Sequence, residues 1–380
     1  MKASFKLFRI AGIDIGIHYS WLFIFIFFTW TLAAGYFPTN YAGWSTGAYW
    51  LIGAITSLCL FASVLLHEMA HSLVAKAKGI PVSSITLFIL GGVSNLEEEP
   101  KKAGEEFIMA FAGPASSLLL ALIFWAITRG MGSVSAANPG LAILNFLWYI
   151  NLALGIFNLL PGFPMDGGRV LRSIIWGGTK NLAKATNIAA AIGQVFGWLF
   201  IAYGVYYAIY GDIINGLWAA FLGWFLISAA GSSRREVTLR ERLANVKVRA
   251  LMNADIATIT PETTVQEMVA GIFNKRHDRA VPVCQNDQVI GIATIADIKK
   301  VPQERWAVTP VKDIMSAGTL QTVTPDDDLN TALKLIAKNN INQVIIKDNG
   351  KCAGFLTRAD IIRYVQMTQE LGITPPKANG

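Results

Sequence analysis

The first 231 residues divide into long apolar runs, and the remainder does not. A membrane span takes about 20 predominantly apolar residues. Six runs qualify: 17–36, 48–75, 107–128, 139–161, 190–210 and 212–231. Only Tyr210, Gly211 and Asp212 separate the last two, so that boundary is the least sharp. The stretch VSSITLFILGGVSNLEEEP, between the second and third runs, is apolar but shorter. Its β-branched residues and the Gly91-Gly92 pair predict two extended pieces around a turn. Such a segment is either re-entrant or interfacial, or a loop packed on the membrane face. The N-terminal apolar stretch exceeds the 7–15 residues or so of a signal-peptide core. It is therefore expected to stay as a first span.

Beyond residue 231 the period changes. Val265, Met268, Val269 and Ile272, and again Leu329, Ala332, Leu333 and Ile336, run i, i+3, i+4, i+7, one face of a helix. Thr264 and Glu267 have capping-box spacing. RAVPVCQ and QVIGIAT read as strands. Gly291, Thr294 and Asp297 recur as Gly354, Thr357 and Asp360, an offset of 63. The expected architecture is a polytopic α-helical membrane domain of six spans (1–231), a juxtamembrane linker (232–247) and a repeated α/β unit (248–306 and 307–372). Residues 373–380 are expected to form a flexible tail.

Composition sharpens this picture. The chain is 53% hydrophobic and 15% charged, against about 25% charged in a soluble domain. The net charge of +7 does not imply nucleic acid, because the basic residues sit at the ends of apolar runs. Lys2, Lys6 and Arg9 precede the first. Lys76, Lys78, Lys101 and Lys102 follow the second, Arg169, Arg172, Lys180 and Lys184 the fourth, and Arg234, Arg235, Arg240 and Arg242 the sixth. The intervening loops are nearly free of positive charge. This alternation predicts both termini and the tail in the cytoplasm. Cys59, Cys284 and Cys352 lack metal-type spacing, and their odd number suits a reducing compartment.

The chemistry concentrates in LLHEMAHSLVA. His67 and His71 lie four apart on one helical face and can hold one metal ion, with Glu68 beside them as a proton acceptor. Ionisable groups at membrane depth cost on the order of 2.5 kcal/mol or more and mark function. A catalytic zinc site takes three protein ligands. Asp166, in NLLPGFPMDGGRVL, is the candidate third; its bland alternative is an N-cap. His18 suits an interfacial hydrogen bond and His277 a surface position. Asn151 and Asn158, seven apart on the fourth span, suit either helix–helix binding or donation to an oxyanion.

HEMAH in one span and NLLPGFPMDGG at the end of another, with GGVSNLEEEP and FAGPASS between, resemble the site-2 protease family of intramembrane zinc metalloproteases. GIATIAD and GFLTRAD resemble tandem CBS domains, a Bateman module. The resemblance implies His67, His71 and Asp166 as ligands of one zinc ion, Glu68 as general base and Asn158 as stabiliser of the tetrahedral intermediate. Met165 stands where that family often has Leu. No PDZ-like insertion is visible. The resemblance further implies a transmembrane protein substrate, first trimmed by another protease, and an enzyme in the lipid of the cell (inner) membrane. For the tail it implies an adenine nucleotide contacted by Thr294, Asp297, Thr357 and Asp360, whose carboxylates alternatively cap their own helices. Two tails could pair as a homodimer. The second copy lacks the Val281-Pro282-Val283 of the first. The rival from another class is a CBS-gated transporter or channel with the His, Glu and Asp cluster as its ion pathway. The six spans show no inverted repeat of the kind many transporters have.

Overall fold

The computed structural model describes residues 4–132, 138–244, 246–273, 280–285, 288–318 and 320–371. His277 and the expected tail, residues 373–380, lie outside the described residues. The chain forms two compact units, Met1–Arg235 and Glu236–Gly380.

Among the described residues, six helical segments are long and apolar enough to cross a membrane. The first, Ser20–Asn40, is α1 (Ser20–Thr31), a π-helical turn (Leu32–Tyr36) and α2 (Phe37–Asn40) in succession. The others are α3 (Thr46–Ala77), α4 (Ala103–Gly130), α5 (Pro139–Asn158), α7 (Leu182–Tyr210) and α8 (Ile213–Ala244). The shorter α6 (Asp166–Thr179) lies between α5 and α7. Each span overlaps its expected run, but α7 starts at Leu182 rather than 190 and α8 continues to Ala244 rather than ending at 231. Most of the expected linker is therefore helix. After Gly231 it contains no Gly or Pro, and Arg240 reaches Glu236 one turn back at 2.6 Å.

At 32 residues, α3 is about 48 Å long and exceeds the hydrocarbon core of about 30 Å. The Ser45 hydroxyl oxygen accepts the Ala48 N–H at its start. Gly79, at φ +79°, ends it in the left-handed conformation that glycine adopts without strain.

Four strands form one sheet in chain order: β1 (Phe5–Ile10), β2 (Ile13–Ile17), β3 (Val82–Phe88) and β4 (Gly91–Leu96). β1–β2 and β3–β4 are antiparallel hairpins, and β2 joins β3 in parallel. The second hairpin is the pair of extended pieces expected from Gly91-Gly92. The first was not expected, because FKLFRIAGIDIGI reads as the approach to a span. Its alternating isoleucines nonetheless suit a strand with one buried face. Ile13, Ile15 and Ile85 are fully buried against Met69 and Ala75 of α3 and Met109 of α4. The sheet thus packs on the part of α3 that carries HEMAH.

The second unit holds β5 (Ala280–Gln285), β6 (Gln288–Thr294), β7 (Ser316–Ala317), β8 (Thr322–Val323), β9 (Gln343–Asp348) and β10 (Lys351–Thr357). The sheet order is β5-β6-β10-β9-β8, with β7 on β6. β9 and β10 are β5 and β6 displaced by 63 residues, and the two hairpins meet at β6 and β10, which gives the sheet pseudo-two-fold symmetry. The helices are α9 (Val265–Met268), α10 (Ile295–Ile298), α11 (Leu329–Lys338) and α12 (Arg358–Glu370). Val265, Met268, Leu329, Ala332 and Ile336 are fully buried, the faces that the periodicity gave. The Thr264–Glu267 capping box forms.

Candidate metal centre

α3 turns His67 and His71 to the same side, and both are buried. The first residue of α6 closes on them. Asp166 Oδ2 lies 3.0 Å from His67 Nε2 and 3.1 Å from His71 Nε2, and the two Nε2 atoms are 3.3 Å apart. Asp166 is not the N-cap of α6; Met165 holds that position. Burial would raise the Asp166 pKa, but the hydrogen bonds and charges of His67 and His71 overcome it and hold the carboxyl well below the usual carboxylate range.

A face of α4 orients both rings. His71 Nδ1–H donates to the Met109 carbonyl at 2.6 Å, and His67 Nδ1 lies 2.9 Å from the Ser117 hydroxyl. With Nδ1 engaged, each ring presents Nε2 to Asp166. Gly113 sits between these two contacts. A Cβ there would fall 2.1 Å from His71 Nε2 and 2.6 Å from His67 Nε2. The imidazoles occupy the space that any other side chain would fill.

The loop carrying Asp166 is fixed by backbone. Phe163 N–H donates to the Ala189 carbonyl of α7 at 3.1 Å, and the Phe163–Pro164 bond is cis. Gly167 and Gly168 lie so close to the Leu159–Phe163 backbone that a Cβ on either would approach it within 2.4 Å.

Glu68, the residue after His67, lies against β4. The Ser94 hydroxyl donates to Glu68 Oε2 at 2.9 Å and receives Ser72 Oγ–H at 3.0 Å. Gly92 lets the strand lie against this carboxylate, since a Cβ there would meet Glu68 Cγ at 2.4 Å. Ser94, Gly113 and Ser117 lie in the stretches GGVSNLEEEP and FAGPASS, to which the sequence alone assigned no individual roles, and Met109 lies outside both. Ser94, Gly113 and Ser117 are small or polar residues in otherwise apolar segments, whereas the Met109 carbonyl leaves no such trace.

Asn158 ends α5, and its Nδ2 donates to the Leu154 carbonyl at 3.0 Å rather than to the cluster. Asn151, fully buried, donates to Ser63 Oγ of α3 at 3.2 Å, which ties two spans together. His18 Nδ1 lies 2.8 Å from Ser20 Oγ at the start of the first span.

In the second unit each Thr and Asp pair forms a helix cap. Asp297 Oδ2 accepts the Thr294 N–H at 3.1 Å and its hydroxyl at 2.7 Å, while Lys300 Nζ donates to Oδ1 at 2.9 Å. Asp360 Oδ2 accepts the Thr357 N–H at 3.1 Å and its hydroxyl at 2.6 Å. Burial would raise the Asp297 pKa; hydrogen bonds from Lys300 and Thr294 outweigh it and hold the carboxyl below its ordinary value.

The His67, His71 and Asp166 donor set fits a metal ion. A tetrahedral zinc with ligands at about 2.0–2.1 Å spaces them about 3.3 Å apart, close to the separations found here. The sequence matches peptidase family M50 over residues 55–137 and 129–200, and the CBS domain over 248–304 and 311–367. The sll0528 protein of Synechocystis sp., named a candidate zinc metalloprotease, is 35% identical across 96% of each chain. Zinc metalloprotease MJ0392 of Methanocaldococcus jannaschii is 28% identical across 97% of this chain and 98% of its own. The solved site-2 protease from M. jannaschii covers 61% of this chain and 95% of that one, at 30% identity and a TM-score of 0.44. The chain belongs to peptidase family M50: it is an integral-membrane zinc metalloprotease of the site-2 type with a C-terminal CBS pair.

Proposed function

We propose that this enzyme cleaves a transmembrane segment of another membrane protein, with one zinc ion held by His67, His71 and Asp166 and with Glu68 as the general base. The observation that carries the reading is the convergence of two imidazole nitrogens and a carboxylate oxygen within 3.3 Å, with a second carboxylate one residue from the first imidazole. When bound, zinc supplies a Lewis acid at this point. Glu68 takes a proton from the attacking water and passes it to the leaving amine. The Ser94 hydroxyl on Oε2 leaves Oε1 for that proton. Asn158 Nδ2 has two hydrogens; one goes to Leu154, and the other serves the developing oxyanion.

A helical substrate must unwind first, because its carbonyls are engaged in its own hydrogen bonds. β4 is an edge strand lying against Glu68, so the unwound piece is taken up by strand addition. In this reading another protease first trims the substrate outside, and the enzyme sits in the cell membrane with both termini cytoplasmic. The placement of Lys and Arg supports that orientation. Membership of a protease family sets the ion-pathway alternative aside.

The same proposal gives the tail an adenine nucleotide at Thr294, Asp297, Thr357 and Asp360, with two tails pairing as a homodimer. Ribose hydroxyls would compete with the helix caps, and Lys300 would have to leave Asp297 Oδ1. Regulation then requires that the nucleotide bind one state more tightly than the other.

The test is cleavage of a single-span substrate by purified enzyme in nanodiscs. Glu68→Gln should keep its zinc and lose about 10²–10⁴-fold in turnover. Near-normal turnover by that variant, or a parent enzyme equally active after zinc removal, refutes the assignment. Cleavage measured with ATP, AMP or S-adenosylmethionine tests the tail, and rates unaltered by all of them remove its regulatory role.

A further inference from the structure

α4 contacts all three candidate ligands, and its contact with the third is indirect. Met109 and Ser117 engage the imidazoles, and Glu106 lies on the same helical face, three residues before Met109. Glu106 is 1% exposed and Arg172 of α6 is 7% exposed. Arg172 Nε donates to Glu106 Oε1 at 2.7 Å, and Nη2 donates to the same oxygen. Arg169 Nε stands 3.8 Å from that oxygen. The Arg172 guanidinium also lies over the Phe163 ring, 5.2 Å from its centroid, and Phe163 belongs to the loop that delivers Asp166.

We infer that Glu106 is a positioning residue for the Asp166 carboxylate, acting through Arg172. This rests on the reading of Asp166 as a zinc ligand. A helix can rotate about its own axis without breaking internal hydrogen bonds. An atom about 6 Å from the axis moves ~1 Å for each 10° of rotation. Ligand geometry tolerates about 0.5 Å, so α6 must be held to about 5°. The glycines at its start fix its depth through backbone contact, but Gly167 and Gly168 have no side chain to resist rotation. The guanidinium fork, clamped between Glu106 and Phe163, supplies that resistance. Glu106 thereby ties the carboxylate ligand to the helix that already aims both histidines.

The experiment measures zinc affinity by chelator competition on the purified full-length protein, together with the visible absorption of its cobalt(II)-substituted form. Glu106→Gln should weaken zinc by about 10- to 100-fold and alter the cobalt band, which reports ligand geometry. Arg172→Lys, which keeps the charge but loses the fork and the ring contact, should shift the band in the same sense with a smaller loss. Zinc affinity within twofold of the parent and an unchanged cobalt band in both variants overturn the inference. So does a fall in thermal stability of the zinc-free protein with the band unchanged, which assigns the pair to packing alone. Asp166→Ala separates the two proposals. If it keeps zinc, the ligand assignment fails; if it loses zinc while Glu106→Gln does not weaken it, only the positioning role fails.

Discussion

Gly113→Ala sets two consequences of one methyl group against each other. Glycine inside a helix costs roughly 0.5–1 kcal/mol relative to alanine, so on propensity alone the change stabilises α4. The new Cβ would lie 2.1 Å from His71 Nε2, 2.5 Å from its Cε1 and 2.6 Å from His67 Nε2. Carbon contacts need about 3.5 Å, so His71 must retreat by about 1.4 Å. That is nearly three times the ~0.5 Å within which a site stays productive. The retreat also breaks the hydrogen bond from His71 to Met109 or strains that of His67 to Ser117, each worth about 1 kcal/mol net. Zinc affinity should fall by at least ~100-fold, the upper end for loss of a ligand's orienting partner. The assay is zinc content and chelator competition on the purified variant, with cleavage and zinc-free thermal stability measured in parallel. The expected result is a folded protein that no longer holds metal. A full equivalent of zinc with near-parent cleavage refutes the view that Gly113 is the space the imidazoles occupy.

Three further outcomes follow from other contacts. Asn158→Ala should keep zinc and lose about 10²–10³-fold in turnover, with KM little changed; an undiminished kcat assigns this amide to its helix alone. Gly193→Ala puts a Cβ 1.8 Å from the Phe163 carbonyl oxygen, so the Asp166 loop must shift and zinc retention should drop, as metal analysis after dialysis would reveal. Asp297 stabilises its cap fully above its unfolded-state pKa of about 3.9, and that contribution is lost as pH falls through its lowered folded-state pKa. Hydrogen exchange of the Thr294–Lys300 amides in the full-length protein should accelerate in that acid range, and Asp297→Asn should not share the dependence. Equal acid sensitivity in both proteins contradicts the assignment.

The spans were legible because membrane length and apolar content are local properties of a sequence. HEMAH was legible because two imidazoles four apart must share a helix face wherever the helix packs. Asp166 could only be nominated, since whether it capped α6 or faced α3 depended on how two helices separated by many residues meet. The partners that orient the histidines were not legible for the same reason. A backbone carbonyl at Met109 has no sequence signature, and Gly113 matters through what it lacks. Glu106 is one of several charges in EEEPKKAGEE and does not stand out there, although its i, i+3, i+7, i+11 spacing with Met109, Gly113 and Ser117 places it on the same face. The β1–β2 hairpin was hidden by its position, since apolar residues leading into a span look like part of the span.

The buried Glu106–Arg172 pair also imposes an order on biosynthesis. The two residues are 66 positions apart, and ribosomes add about 5–20 residues per second. Glu106 is therefore synthesised roughly 3–13 s before its guanidinium partner. Through that interval α4 carries a carboxylate with no mate, which favours a shallow third span. His67 waits longer still for Asp166, 99 positions downstream. The nascent chain thus lacks its third candidate ligand until α6 is synthesised, and the centre cannot assemble before then.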